Sequence, residues 1–122
     1  MDMNVSETAD GVTHVALDGR FDIQGAQEVD RRFADLAETA NILVVDLSRV
    51  SFLASLGVRT LMVTAKTIIR RGRHVAVAGA NDGVEKVLRL TGFDEIVGLY
   101  PDAAAAAASL TARAKEYESR KS

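Results

Sequence analysis

Read for apolar and polar positions, the chain changes rhythm several times, and each change predicts an element. Two extended runs flank Asp10-Gly11, a pair suited to the positive φ angles of a tight turn. They predict an antiparallel hairpin with strands over about 3–8 and 13–18. Ala26, Val29, Phe33, Leu36 and Ala37 then recur at helical spacing, with Glu28, Arg31, Arg32 and Asp35 on other faces, predicting an amphipathic helix over about 26–40. The run "NILVVDL" at 41–47 is apolar almost throughout, the mark of a strand covered on both faces in a mostly parallel sheet. A second helix is predicted over about 56–71. Its inward stripe is Val58, Leu61, Met62, Ala65, Ile68 and Ile69, while Arg59, Lys66 and Arg70 stay in water and Gly72 closes its end. "HVAVA" at 74–78 reads as another buried strand. A third helix over about 81–91 carries Val84, Val87 and Leu88 and stops near Gly92, and "EIVGLY" at 95–100 reads as a short strand before Pro101. The last helix begins near Asp102 with an alanine run of high helix propensity, and its end, "KEYESRKS", is expected to fray.

The order β-β-α-β-α-β-α-β-α predicts an α/β fold. Right-handed crossovers build a mixed, mostly parallel sheet of about five strands with a hairpin start and about four helices. The 122 residues fit a single domain over 1–122, with a core over about 3–101 and a C-terminal helix over about 102–118. At 48% apolar and 26% charged, the composition is that of a soluble globular domain. A formal charge of −2 argues against a general nucleic-acid binder. No run approaches the ~18 apolar residues of a membrane span. The start "MDMNVSETAD" lacks the features of a secretory leader. With no cysteine, thiolate chemistry is excluded. Together these predict a cytoplasmic protein without direct membrane contact.

The search for catalytic chemistry returns little. There is no phosphate-binding loop, no G-x-G-x-x-G after a strand and no G-x-S-x-G elbow. His14 and His74 fall in predicted strands without partners at metal-ligand spacing, and read as ordinary partly buried histidines. Arg70, Arg71, Arg73 and His74 complement a helix C-terminus. The alanines at 103–108 suit packing on the domain better than a membrane surface. No enzyme activity, cofactor or metal is expected.

The remaining candidate is Ser55, in "DLSRVSFLASLGVRTL". Just ahead of the second helix, it is expected to act as an N-cap, accepting from the backbone N–H of Gly57 or Val58. The same position suits an anion: it follows a parallel strand at the carboxyl edge of the sheet. A helix N-terminus favours a phosphate there, and Arg59 lies one turn along. Gly57 would allow another backbone to approach closely.

The segment "ILVVDLSRVSFLASLGVRTL" resembles the central signature of the STAS domain of bacterial anti-sigma factor antagonists. "LDGRFD", "GRHVAVAGA" and "LRLTGFDEIVGLY" agree with it, so the resemblance covers about residues 3–101. It implies a phosphorylation-controlled partner switch. The unphosphorylated form binds an anti-sigma factor, itself a serine kinase with a histidine-kinase-like ATPase fold, and a sigma factor is released. Phosphorylation of Ser55 abolishes binding, and a serine phosphatase resets the cycle. By position, Asp22 in "GRFD" is an acidic residue near the acceptor, and Ala54, Leu56, Gly57, Val58 and Arg59 belong to the docking surface. The family usually has aspartate where this chain has Ala54, and often a second serine at Leu56. That departure supports an alternative, a non-phosphorylated accessory subunit of a lipid-transport ATPase complex. The hairpin leaves an exposed sheet edge, so a monomer or weak dimer is expected.

Overall fold

A computed structural model describes residues 1–121, and the expected order of elements is present. Strands β1 (Asp2–Glu7) and β2 (Val12–Phe21) form the antiparallel hairpin, with Gly11 at φ 80° in the turn. Then follow α1 (Ile23–Thr39), β3 (Ile42–Leu53), α2 (Ser55–Arg70), β4 (His74–Ala78), α3 (Asp82–Leu90), β5 (Gly98–Tyr100) and α4 (Ala103–Lys121). The sheet has the order β1-β2-β3-β4-β5, parallel everywhere except β1–β2.

Alternation along the strands divides the interior in two. Val15 and Leu17 of β2, Leu43, Val45 and Leu47 of β3 and Val77 of β4 face α1, α2 and α3. There they meet Val29 and Phe33, Leu61 and Ile68, and Val84 and Leu88. Phe21 at the end of β2 stacks on Phe33 of α1 at 6.5 Å. On the opposite face, Val12, Ile42, Val44, Ala76 and Ala78 meet Ala106 and Leu110 of α4. The alanine run therefore packs on the sheet, where small side chains let the helix lie close.

Several boundaries differ from expectation. The strand expected to stop at Leu47 continues to Leu53, beyond the end of β4, so β2 and β3 project together as a two-stranded ribbon. Two register shifts in β2–β3 account for the missed length, since each places two exposed residues in succession on β3, Ser48-Arg49 and Ser51-Phe52. That breaks the two-residue period by which a strand is recognised. Helix α1 begins at Ile23, three residues early, because Asp22 caps it. Residues 93–95 form a 3-10 turn around buried Phe93, shortening the last strand to Gly98–Tyr100. The expected frayed end is helical through Lys121, and Ser122 lies outside the described residues.

The C-terminal end of α2 is fastened twice. Gly72, at φ 73°, donates to Ile69 O, and Arg73 N–H donates to Ile68 O, closing the helix in a left-handed cap. Arg71 Nη1 reaches the carbonyls of Ala37 and Ala40 at 2.9 and 2.8 Å. One member of the basic cluster thus ties the end of α2 to the end of α1.

Candidate functional site

The projecting ends of β2 and β3 deliver two helices side by side. Phe21 and Leu53 are in register, and Ala54 N–H donates to Phe21 O at 2.9 Å, so the residues that follow, Asp22 and Ala54, are neighbours. Each is extended, and each starts a helix whose third residue is glycine. The glycines are set by close approach. A Cβ at Gly57 would stand 2.7 Å from Phe21 O and 2.8 Å from Leu53 Cδ1, and one at Gly25 would strike Arg20 O. Gly57 is therefore required by the protein's own strand, not by an approaching partner as expected from the sequence.

The capping expectation for Ser55 is overturned. Ala54 occupies the cap position and Ser55 is the first helical residue, because Ala54 holds the extended conformation at φ −95°, ψ 168°. Alanine has no side-chain acceptor, and the first intrahelical bond is Val58 N–H to Ala54 O at 3.1 Å. The N–H groups of Ser55, Leu56 and Gly57 thus have no side-chain partner among the described residues, and they give the helix start its partial positive charge. Ser55 itself is exposed, and its hydroxyl makes no hydrogen bond among the described residues.

Asp22 is committed elsewhere. Its Oδ1 accepts from Gly25 N–H at 2.9 Å and its Oδ2 lies 3.6 Å from Arg20 Nε. The Gly25 bond is the main cause holding its carboxyl below the usual range, with Arg20 assisting. Arg59 is exposed, one turn beyond Ser55, and has no ion-pair partner among the described residues. Leu56 is 38% exposed, whereas Val58 is 5% exposed and sits in the core, so its expected place on the docking face is corrected to a packing role.

Three surface residues near this edge escaped the sequence reading. Ile23, 59% exposed, begins α1, and Phe52, 41% exposed, lies beneath the Arg20 guanidinium at 4.4 Å from its ring centre. The signal for Phe52 and Arg20 was the continuation of β3 past Leu47. The signal for Ile23 was Asp22 as a cap. Ile23 and Leu56, which directly follows Ser55, line one exposed groove and give the start of α2 a partly apolar border.

The histidines lie away from this edge. His14 Nε2 is 3.5 Å from Asp46 Oδ2. His74 meets the ring of Tyr117 edge-on at 6.2 Å, and burial, then Arg113 and Arg73, pushes its pKa down. Among the described residues no group of three or more potential metal ligands converges, and no helix is long and apolar enough to cross a membrane.

The model of the STAS domain matches residues 4–106. An anti-sigma factor antagonist from Mycobacterium paratuberculosis is 27% identical, with 89% of this chain and 92% of that chain covered and a TM-score of 0.82. The STAS domain of a SulP transporter from Vibrio cholerae is 32% identical, covering 88% of this chain and 83% of that chain at a TM-score of 0.63. The Bacillus cell fate determinant SpoIIAA in its phosphorylated form shares the fold at 12% identity, covering 85% and 96% at a TM-score of 0.67.

Proposed function

The chain belongs to the STAS domain family, and from that premise we propose that it is an anti-sigma factor antagonist switched by phosphorylation of Ser55. The observation that carries this reading is an exposed, unbonded serine hydroxyl on the open first turn of α2. In the forward step Ser55 Oγ loses its proton and bonds to the γ-phosphorus of ATP. The bond to the bridging oxygen breaks, and ADP leaves. Hydrolysis of the Oγ–P bond by a serine phosphatase restores the hydroxyl and releases inorganic phosphate.

The surroundings explain why such a change would act as a switch. The unmodified hydroxyl is small and neutral, so a partner covering Ile23, Leu56 and Ser55 desolvates little charge. A phosphate adds about −1.5 to −2 charges, and removing it from water costs several kcal/mol. The open N–H groups of α2 and the Arg59 guanidinium stabilise that phosphate in the free protein. The modification blocks docking without unfolding the domain. The partner is an anti-sigma factor with a histidine-kinase-like ATPase fold, met in the cytoplasm, and its capture releases a sigma factor. The name of the Mycobacterium paratuberculosis relative and the phosphorylated form of SpoIIAA support this reading.

The test compares unmodified, Ser55→Ala and Ser55→Asp proteins for binding to the cognate anti-sigma kinase. Ser55→Ala is expected to bind like the unmodified protein and to resist phosphorylation, and Ser55→Asp to bind about 100-fold more weakly, a difference of about 2.7 kcal/mol. Equal binding by the two variants would sink the switch.

A second reading draws on Ala54, which leaves Ser55 without a neighbouring carboxylate on its own loop. In it the domain braces a lipid-transport ATPase complex as a non-phosphorylated accessory subunit. Co-purification with an ATPase and its permease, with Ser55 unmodified by intact mass, would favour it.

A further inference from the structure

A groove of about 530 Å³ runs along the outer side of α1 and α2, from the Ser55 edge over most of the length of both helices. Its floor is made of small side chains, Ala34 and Ala37 from α1 and Thr60 and Thr64 from α2. The threonine hydroxyls are paired within the domain: Thr64 Oγ1 donates to Thr60 O at 2.8 Å, and Thr60 Oγ1 bonds Leu56 O and Asp30 Oδ1 at 3.1 and 2.5 Å. Neither hydroxyl of the floor is left without a partner. The rim carries three large apolar side chains in water, Ile23 at 59%, Leu56 at 38% and Val63 at 56% exposure. Such residues in water along a groove of this length, about 16 Å from Leu56 to Thr67 by helical rise, match the apolar stripe of about three turns of a helix.

The charges of the groove carry a direction. Arg59 lines the end near Ser55, Asp30 the middle and Glu38 the far end, and none has an ion-pair partner among the described residues. Because β2 and β3 are parallel, α1 and α2 both start at the Ser55 edge and run the same way. Their partial positive charges coincide there with Arg59. A helix lying antiparallel to both would bring its negative C-terminal end to Arg59 and the open start of α2. Its positive N-terminal end would reach Glu38. Side-chain charge and helix dipoles select the same orientation.

We propose that this groove receives an amphipathic helix of the partner, antiparallel to α1 and α2, with basic side chains toward Asp30 and Glu38 and its C-terminal end at Ser55, and that negative charge on Ser55 weakens it. The identity of the partner rests on the antagonist reading above. The geometry adds how the modification would be felt: a phosphate on Ser55 faces the negative end of the docked helix and draws Arg59 away from it.

The experiment uses the full chain and two hydrocarbon-stapled 14-residue peptides sharing one leucine stripe. One has lysines in its first two turns and a glutamate in its last; its twin has these charges reversed. Amide shifts by NMR report both site and affinity. The first peptide is expected to shift Ala34, Val63 and Thr64, and the twin to bind about fivefold more weakly. Val63→Asp, a change at an exposed position, is expected to weaken the first peptide about tenfold, and Ser55→Asp about threefold. Equal binding of the twins, shifts outside the groove, or indifference to Ser55→Asp would overturn the proposal. No kinase takes part, so a failed switch and a failed groove remain distinguishable. If Ser55→Ala and Ser55→Asp bind the intact anti-sigma kinase equally while the peptides behave as described, the antagonist reading falls and the groove stands.

Discussion

The starts of α1 and α2 are built on one template and finished differently. Both leave the projecting end of a strand through a single extended residue, and both place glycine third, against the carbonyls of Arg20 and Phe21. At α1 the extended residue is Asp22, whose carboxylate takes the Gly25 N–H at 2.9 Å. At α2 it is Ala54, which takes nothing. The comparison separates what the backbone needs from what the surface offers. A helix can begin here with or without a cap, and only the uncapped start leaves N–H groups and a free hydroxyl together at an exposed position.

The largest effects should come from the shared part of the template. Gly25→Ala and Gly57→Ala are each expected to cost about 2–3 kcal/mol in urea unfolding, since each new methyl meets backbone that cannot yield without moving a strand. If either is neutral, the two starts are not equivalent. Ala54→Asp would give α2 the cap that α1 has. It is expected to stabilise the protein by about 1 kcal/mol, because the new carboxylate accepts from the N–H groups that alanine leaves open. An unchanged unfolding free energy would show that the start of α2 gains nothing from a cap.

The converse change, Asp22→Ala, is expected to lower the melting temperature by a few degrees while leaving Ser55 accessible. The acid dependence should follow the same residue. Its native carboxyl titrates below the unfolded value of about 3.9, so its stabilisation is complete above that pH and is lost as pH falls through the lowered native value. Asp22→Asn should remove that component from the pH profile of stability, and an identical acid limb in wild type and variant would refute the assignment. The smallest effect belongs to Ser55→Ala, expected to change stability by less than about 0.5 kcal/mol. A loss near 1 kcal/mol would restore the serine as a cap.

The sequence revealed the order of elements because periodic burial is strong where one face of a helix or both faces of a strand are covered. Val29 and Phe33, or Val44 and Val45, have little freedom to be read otherwise. The pattern was lost where tertiary geometry overrode local preference. The second half of β3 carries two irregularities, and Ile23 faces water at the start of a helix that Gly25 makes locally unfavourable. Ser55 was found as the candidate, yet the rule that serine caps helices misplaced it by one position. The φ and ψ of Ala54 decide the boundary, and these follow from the bond of its N–H to Phe21. Residues close in space but separated by about thirty positions, such as Thr60 and Asp30, left no local trace at all.

Helix α4 leaves β5 at the Ser55 edge of the sheet and runs back across β4 and β3 to Lys121. Its 19 residues form a strut of about 28 Å. Tethering the domain to a sensor surface through that end would therefore orient it, with the switch edge turned outward to whatever flows past.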